Sequence, residues 1–250
     1  MVTHQPGGTL YRVICWLTTR LPRRTQPSPH KWLPAVDKHM VYYDLRAALQ
    51  DGTCSVCDLV AQATARRLRF LFHECITDPG VRMELRASLG FCPRHASAAV
   101  QQGHALGIAM IYQDVVNQAR SRLSTSNAKS PARSSCPECV SEREDETRYV
   151  RALANDLIDA EMQAAYAAGP GLCLRHLDMA LAQSRAQVRA FLCMQEETKL
   201  GRLAWELGEF IRKSDFNHSH ESMADERDSW LRALTKIAGR APCGDRRCGL

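Results

Sequence analysis

No stretch of this 250-residue chain reaches the 18 or so apolar residues of a spanning helix, so no membrane span is expected. A secretory leader is missing by the same reading. The apolar run VICWL, residues 13–17, is too short for a signal core, only Arg12 among nearby cations precedes it, and no small-residue cleavage site follows. The expected address is the cytoplasm, whose reduced thiols argue against structural disulfides. Alternating strand patterns are absent as well. So are a glycine-rich phosphate loop, GxSxG and HExxH, which removes several familiar catalytic classes. An excess of charge is missing from the body of the chain. Residues 1–39 hold six of the 33 Lys and Arg and one of the 27 Asp and Glu, leaving 27 basic against 26 acidic residues. Nucleic-acid binding draws its affinity from clustered phosphate contacts, so a nearly neutral body argues against such a partner.

What remains is ordinary globular composition, 45% hydrophobic and 24% charged, with helical periodicity after Met40. Residues 1–39 scatter Pro and Gly and read as a flexible basic extension. In ETKLGRLAWELGEFIRK, Leu200, Leu203, Ala204, Leu207, Phe210 and Ile211 fall on one helical stripe. ALGIAMIYQDVVNQARSRL and EREDETRYVRALANDLI also read as helices, rich in Ala, Leu, Arg and Glu and free of Pro. Residues 124–135, STSNAKSPARSS, read as a linker. A last helix is expected over ADERDSWLRALTKIAG, closed by Gly239.

Eleven cysteines are the other abundance. Cys54 and Cys57 form one CxxC and Cys136 and Cys139 a second; GFCPRH then supplies Cys92 and His95, and GLCLRH supplies Cys173 and His176. The order CxxC, spacer, CxxH occurs twice, with nearly equal spacers, and further positions keep the register: Asp78 with Asp159, Gly90 with Gly171, Arg94 with Arg175. This is a tandem duplication, and it predicts an all-α fold of two pseudo-repeats packed together, plus a C-terminal helix. The expected segments are 40–123 and 136–216 for the repeats and 217–250 for the last helix and a polar tail.

The chemistry follows from the donor set. Zinc takes four ligands, Cys3His is a common structural set, and i, i+3 spacing puts Cys and His on one helical face. Each repeat contains one set, so about two zinc ions per chain are expected. Pairing within a repeat is the simpler expectation, since the ancestral unit had to fold alone; pairing CxxC of one repeat with CxxH of the other uses the same residues. Arg94 and Arg175 are expected near the centres, offsetting their net negative charge. A thioredoxin-like dithiol needs a strand-led context that is absent. Cys75 and Cys193 fall outside the repeat pattern and read as buried thiols, Cys243 and Cys248 as part of a tail, His218 and His220 as loop residues, and Trp205 and Trp230 as core.

The duplicated CxxC…G[FL]CxxH unit, followed by FIRKSDF and DSWLRAL, resembles a domain-of-unknown-function family of bacterial proteins, common in actinobacterial and related genomes. The resemblance spans residues 41 to about 239. It implies the helical fold and the eight ligand positions but no reaction. The residues themselves favour an intracellular metal-binding scaffold or adaptor for a protein partner, with a structural metal and no enzymatic role. The alternatives are an iron–sulfur or thiol-based redox sensor, and an enzyme with a site between the repeats that uses Asp78, Asp159, Glu74 or Glu161.

Overall fold

The computed structural model describes residues 39–124, 134–218 and 220–239. The extension before His39, most of the 124–135 linker, and the tail with Cys243 and Cys248 lie outside the described residues. Ten α-helices and two short 3₁₀ turns make up the described chain, and no strand occurs among the described residues. They are α1 (Met40–Ala48), α2 (Ser55–Glu74), α3 (Pro79–Ala87), α4 (Pro93–Val100), α5 (Ala105–Ser124), α6 (Pro137–Asp156), α7 (Ala160–Ala168), α8 (Leu174–Gln183), α9 (Ala186–Lys213) and α10 (Ser229–Ala238).

The duplication is visible helix by helix. α2 and α6 are each 20 residues long and α3 and α7 each nine. The repeated aspartates start the short helices: the Asp78 carboxylate accepts from the Val81 N–H at 2.9 Å, and that of Asp159 from the Glu161 N–H at 2.7 Å. The repeated glycines have left-handed backbones, φ +81° at Gly90 and +79° at Gly171, which L-residues adopt only with strain. Each turns the chain into the following CxxH. The N–H after each glycine is then held by the last helix of its repeat, Phe91 by the Tyr112 hydroxyl at 3.3 Å and Leu172 by the Glu196 carboxylate at 2.9 Å.

The compact units do not coincide with the sequence repeats. Among the described residues, one comprises those within 64–141; the other comprises those within 39–63 together with those within 142–239. The boundaries fall inside α2 and α6. In the first unit, Leu68, Phe72, Val81, Leu85, Phe91 and Ile111 form the buried core, and α3 packs along α5. In the second, the core is larger, with Tyr42, Leu45, Leu49, Tyr149, Leu153, Met162, Tyr166 and Leu192 among its buried side chains. There α1 packs on α7, and α10 packs on α8 and α9.

Helix length explains the difference from the expected 40–123 and 136–216 repeats. α2 carries the chain about 30 Å from its CxxC, whereas the nine residues of α3 bring it back by no more than about 13 Å. The turn at Ser88 to Gly90 then folds instead of extending, with the Gly90 N–H donating to the Leu85 carbonyl at 2.7 Å. Cys92 therefore stops beside the second half of α2, packed with Leu68 and Phe72.

Two further expectations are corrected. The α9 residue Trp205 is 65% exposed and Ile211 70%, while Glu196 and Glu206 of the same helix are 2% and 1% exposed. The charged edge of α9 turns inward because α10 meets it with Lys236 and Arg232. The free buried thiols expected at Cys193 and Cys75 are not found: Cys193 is exposed, and Cys75, though buried in the core of the 64–141 unit, is disulfide-bonded.

Candidate metal centres

Each CxxC sits where a long helix begins. Cys54 immediately precedes α2 and Cys57 lies in its first turn; Cys136 and Cys139 stand the same way on α6. Each CxxH begins a shorter helix, with Cys92 capping α4 and Cys173 capping α8, so His95 and His176 follow within the first turn. The structure joins these halves across the repeats. Cys54, Cys57, Cys173 and His176 form centre 1, in the larger unit, and Cys92, His95, Cys136 and Cys139 form centre 2, in the 64–141 unit. The expectation of pairing within a repeat is thus replaced by the crossed pairing, for the geometric reason given by α2 and α3.

Within each group all donor atoms lie within 4.8 Å of one another. In centre 1 the His176 Nδ1 is 3.3, 3.4 and 3.2 Å from the sulfurs of Cys54, Cys57 and Cys173, and the Cys57 and Cys173 sulfurs are 3.8 Å apart. In centre 2 the His95 Nδ1 is 3.2, 3.7 and 3.4 Å from Cys92, Cys136 and Cys139, with the Cys92 and Cys139 sulfurs 3.6 Å apart. A tetrahedron with metal–sulfur bonds of about 2.3 Å and metal–nitrogen bonds of about 2.05 Å has sulfur–sulfur edges of about 3.8 Å and sulfur–nitrogen edges of about 3.6 Å. The donors therefore fit one tetrahedral ion each. The sulfur–sulfur distances are far too long for disulfides.

The electrostatics concentrate thiolate character on the cysteine at each helix start. Contacts from the Cys54 and Cys57 thiols hold Cys173 far below the usual thiol range, and Cys54 is raised in return. Burial pushes Cys92 up, but the backbone N–H of His95 and the Cys139 and Cys136 thiols outweigh it, so the net direction is down. Burial raises Cys139 to about 11. The imidazoles diverge: burial together with the charges of Arg94 and Arg67 lowers His95 to about 4, whereas at His176 burial is overcome by contacts with Cys173 and Cys57, which raise it to about 10. Thiolate and neutral imidazole are the forms that bind metal, so loading either centre displaces protons.

Around centre 1, the His176 Nε2–H donates to Glu146 at 2.7 Å, and the other oxygen of Glu146 accepts from Arg175 at 2.6 Å. This carboxylate fixes the ring so that Nδ1 faces the sulfurs, an arrangement that raises ligand basicity. Arg175 thus reaches the centre through Glu146. The residue in register with Glu146 in the first repeat is Thr64, so the carboxylate belongs to one centre only. Near centre 2, Arg67 pairs with the buried Glu138 of the CPEC loop at 3.0 Å, while Arg94 is exposed and contributes its charge at His95. Gly239, whose φ of +77° L-residues adopt only with strain, closes α10 beside centre 1, within van der Waals reach of the sulfurs of Cys57 and Cys173. Glu146 and Gly239 were not among the expected site residues. No spacing rule ties Glu146, embedded in the charged run EREDETRY, to a histidine 30 positions later.

The candidate acids are otherwise engaged. Asp78 and Asp159 cap helices, Glu161 pairs with Arg46 at 3.0 Å, and Glu74 is exposed. No helix among the described residues is long and apolar enough to cross a membrane. No curated protein and no solved structure matched the chain. A family model described as a family of unknown function (DUF6062) matched twice, over residues 44–157 and 124–243. Those matches span both CxxC…CxxH units, as the duplication requires, and the chain belongs to this family.

Proposed function

We propose that each Cys3His set holds one zinc ion as a structural element, and that the protein is a helical scaffold or adaptor acting by binding a protein partner. The observation that carries the reading is that four protein donors at tetrahedral spacing close each centre. A closed shell leaves no position for water or substrate, so the ion contributes folding free energy instead of Lewis acidity. The crossed pairing supports the same role. Each centre ties segments more than 100 residues apart in one case, Cys54 to His176, and more than 40 in the other, Cys136 to His95. The adaptor part rests on apolar surface: Trp205, Ile211 and Phe216 are 65%, 70% and 90% exposed, and α10 directs Leu231, Leu234 and Ile237 outward. Exposed apolar groupings of this kind mark protein-binding surfaces.

Elemental analysis of aerobically purified, colourless protein is expected to give about two zinc ions per chain. Chelation should then remove helical circular dichroism together with the metal. Stoichiometric iron and sulfide would replace this reading with the redox-sensing one. Chelated protein that keeps its helicity and thermal midpoint would make the metal exchangeable and not structural.

A further inference from the structure

Beside centre 1 lies a cavity of about 460 Å³, within the range of small-molecule sites. Its walls are the loop before α2, the loop joining α7 to α8, and the facing sides of α9 and α10; Cys54 and Cys173 are part of them. Four cations line it, Lys199, Arg202, Arg232 and Lys236, against one carboxylate, Glu206. We propose that this cavity binds a small organic anion bearing a carboxylate or phosphate group, a ligand-binding capacity beyond the scaffold role.

The charge inventory carries the proposal. Glu206, 1% exposed, is shared by Arg202 at 2.8 Å and Arg232 at 2.6 Å, one carboxylate oxygen each. Glu196, behind the wall, pairs with Lys236 and accepts from the Tyr166 hydroxyl. Two buried carboxylates thus face four cations. Asp225 and Asp228 pair with Arg202 at 3.1 Å and Arg232 at 2.8 Å at the exposed rim, where water and salt screen these pairs, so the charge surplus inside the cavity rests on Lys199. Lys199 has no carboxylate within ion-pair distance among the described residues. Its ammonium is held by the carbonyls of Ala167 and Gly169, both at 2.7 Å, and lies 5.9 Å from the Tyr166 ring centre, which leaves its third N–H without a hydrogen-bond acceptor. Arg202 uses Nε and Nη2 on Glu206 and Asp225, and its Nη1 has no partner among the described residues. An anion in the cavity would meet both open donors and offset the surplus charge.

Stability does not account for the arrangement. Buried ion pairs seldom exceed well-packed apolar side chains in stabilisation, because desolvation offsets the attraction. Here Glu196, Glu206 and Lys236 are turned inward beside a hollow whose rim carries the more exposed Arg202 and Arg232, while Leu231, Leu234 and Ile237 face solvent. Such a polar hollow with convergent cations is built to receive charge.

The test is isothermal titration calorimetry of the full metal-loaded chain at low ionic strength, with inorganic phosphate, glycerol 3-phosphate and citrate as probes and chloride and glycerol as controls. One site per chain, with a dissociation constant of about a millimolar or tighter, is expected for a phosphate or carboxylate probe and neither control. The tighter probe identifies the head group. Lys199→Met should weaken binding at least tenfold, whereas Arg227→Gln, an exposed cation outside the cavity wall, should leave it unchanged. Thr198→Glu, which adds a carboxylate to the wall, should abolish it and serves if Lys199→Met fails to fold. Absence of saturable binding, or equal weakening by Lys199→Met and Arg227→Gln, overturns the proposal. Zinc content measured alongside keeps that failure separate from failure of the structural-metal reading.

Discussion

Replacing Cys92 with Ser tests the crossed pairing directly. In the zinc-loaded chain it removes one sulfur from centre 2, whose other members are His95, Cys136 and Cys139. Structural zinc contributes on the order of 10–16 kcal/mol in small domains, comparable to the ~5–15 kcal/mol that holds a whole domain folded. Loss of that centre is expected to unfold the 64–141 unit, whose core cluster has nine buried residues against 21 in the other. The helices lying wholly within it, α3, α4 and α5, contain about a quarter of the described α-helical residues, so a corresponding part of the circular dichroism signal should be lost. Native alkylation with iodoacetamide, read by peptide mass spectrometry, locates the damage. Cys136 and Cys139 should become reactive while Cys54, Cys57 and Cys173 stay protected, with about one zinc remaining per chain. Reactive Cys54 and Cys57 beside protected Cys136 and Cys139 would refute the crossed arrangement.

Glu146→Gln should weaken metal at centre 1 by roughly 10–100-fold and leave centre 2 unchanged, read as biphasic zinc release to a chromogenic chelator; uniform release would remove the carboxylate's role. Asp78→Ala should cost about 1 kcal/mol in chemical denaturation with both metals retained, as for a helix cap. Loss of metal there would assign the aspartate something more than capping. Gly171→Ala puts a Cβ at a left-handed position and against the Glu196 carboxylate, closer than van der Waals contact allows. A cost above the ~1–2 kcal/mol of the backbone conformation alone is expected in thermal unfolding, and a neutral result would contradict the fit of that turn.

The local features were legible in the sequence. Helix periodicity, the doubled CxxC and CxxH, the repeated Gly90 and Gly171, and the closing Gly239 depend on neighbours a few residues away, and each has the backbone role its residue type demands. Asp78 and Asp159 were equally visible as a repeat, but as candidate acids; their capping role needed only the short helix that follows each. The α9 stripe misled for an identifiable reason. Apolar periodicity marks a face suited to burial, yet burial also depends on what the opposing helix presents, and α10 presents Lys236 and Arg232.

Long-range choices were decided only in three dimensions. Spacers of 35 and 34 residues are compatible with closing each centre inside its repeat or across the two, because sequence distance does not state where a helix points. A 20-residue helix answered by a nine-residue one cannot return to its own start, and that inequality sent Cys92 and His95 to Cys136 and Cys139, and Cys54 and Cys57 to Cys173 and His176. The same holds for Glu146 on His176 and for the cations around the cavity beside Cys54: each contact joins residues far apart in the chain, so no local pattern encodes it. The sequence by itself determined the candidate ligands and the helices that carry them; tertiary structure decided which of them come together as one donor set, because that depends on how far each helix carries the chain.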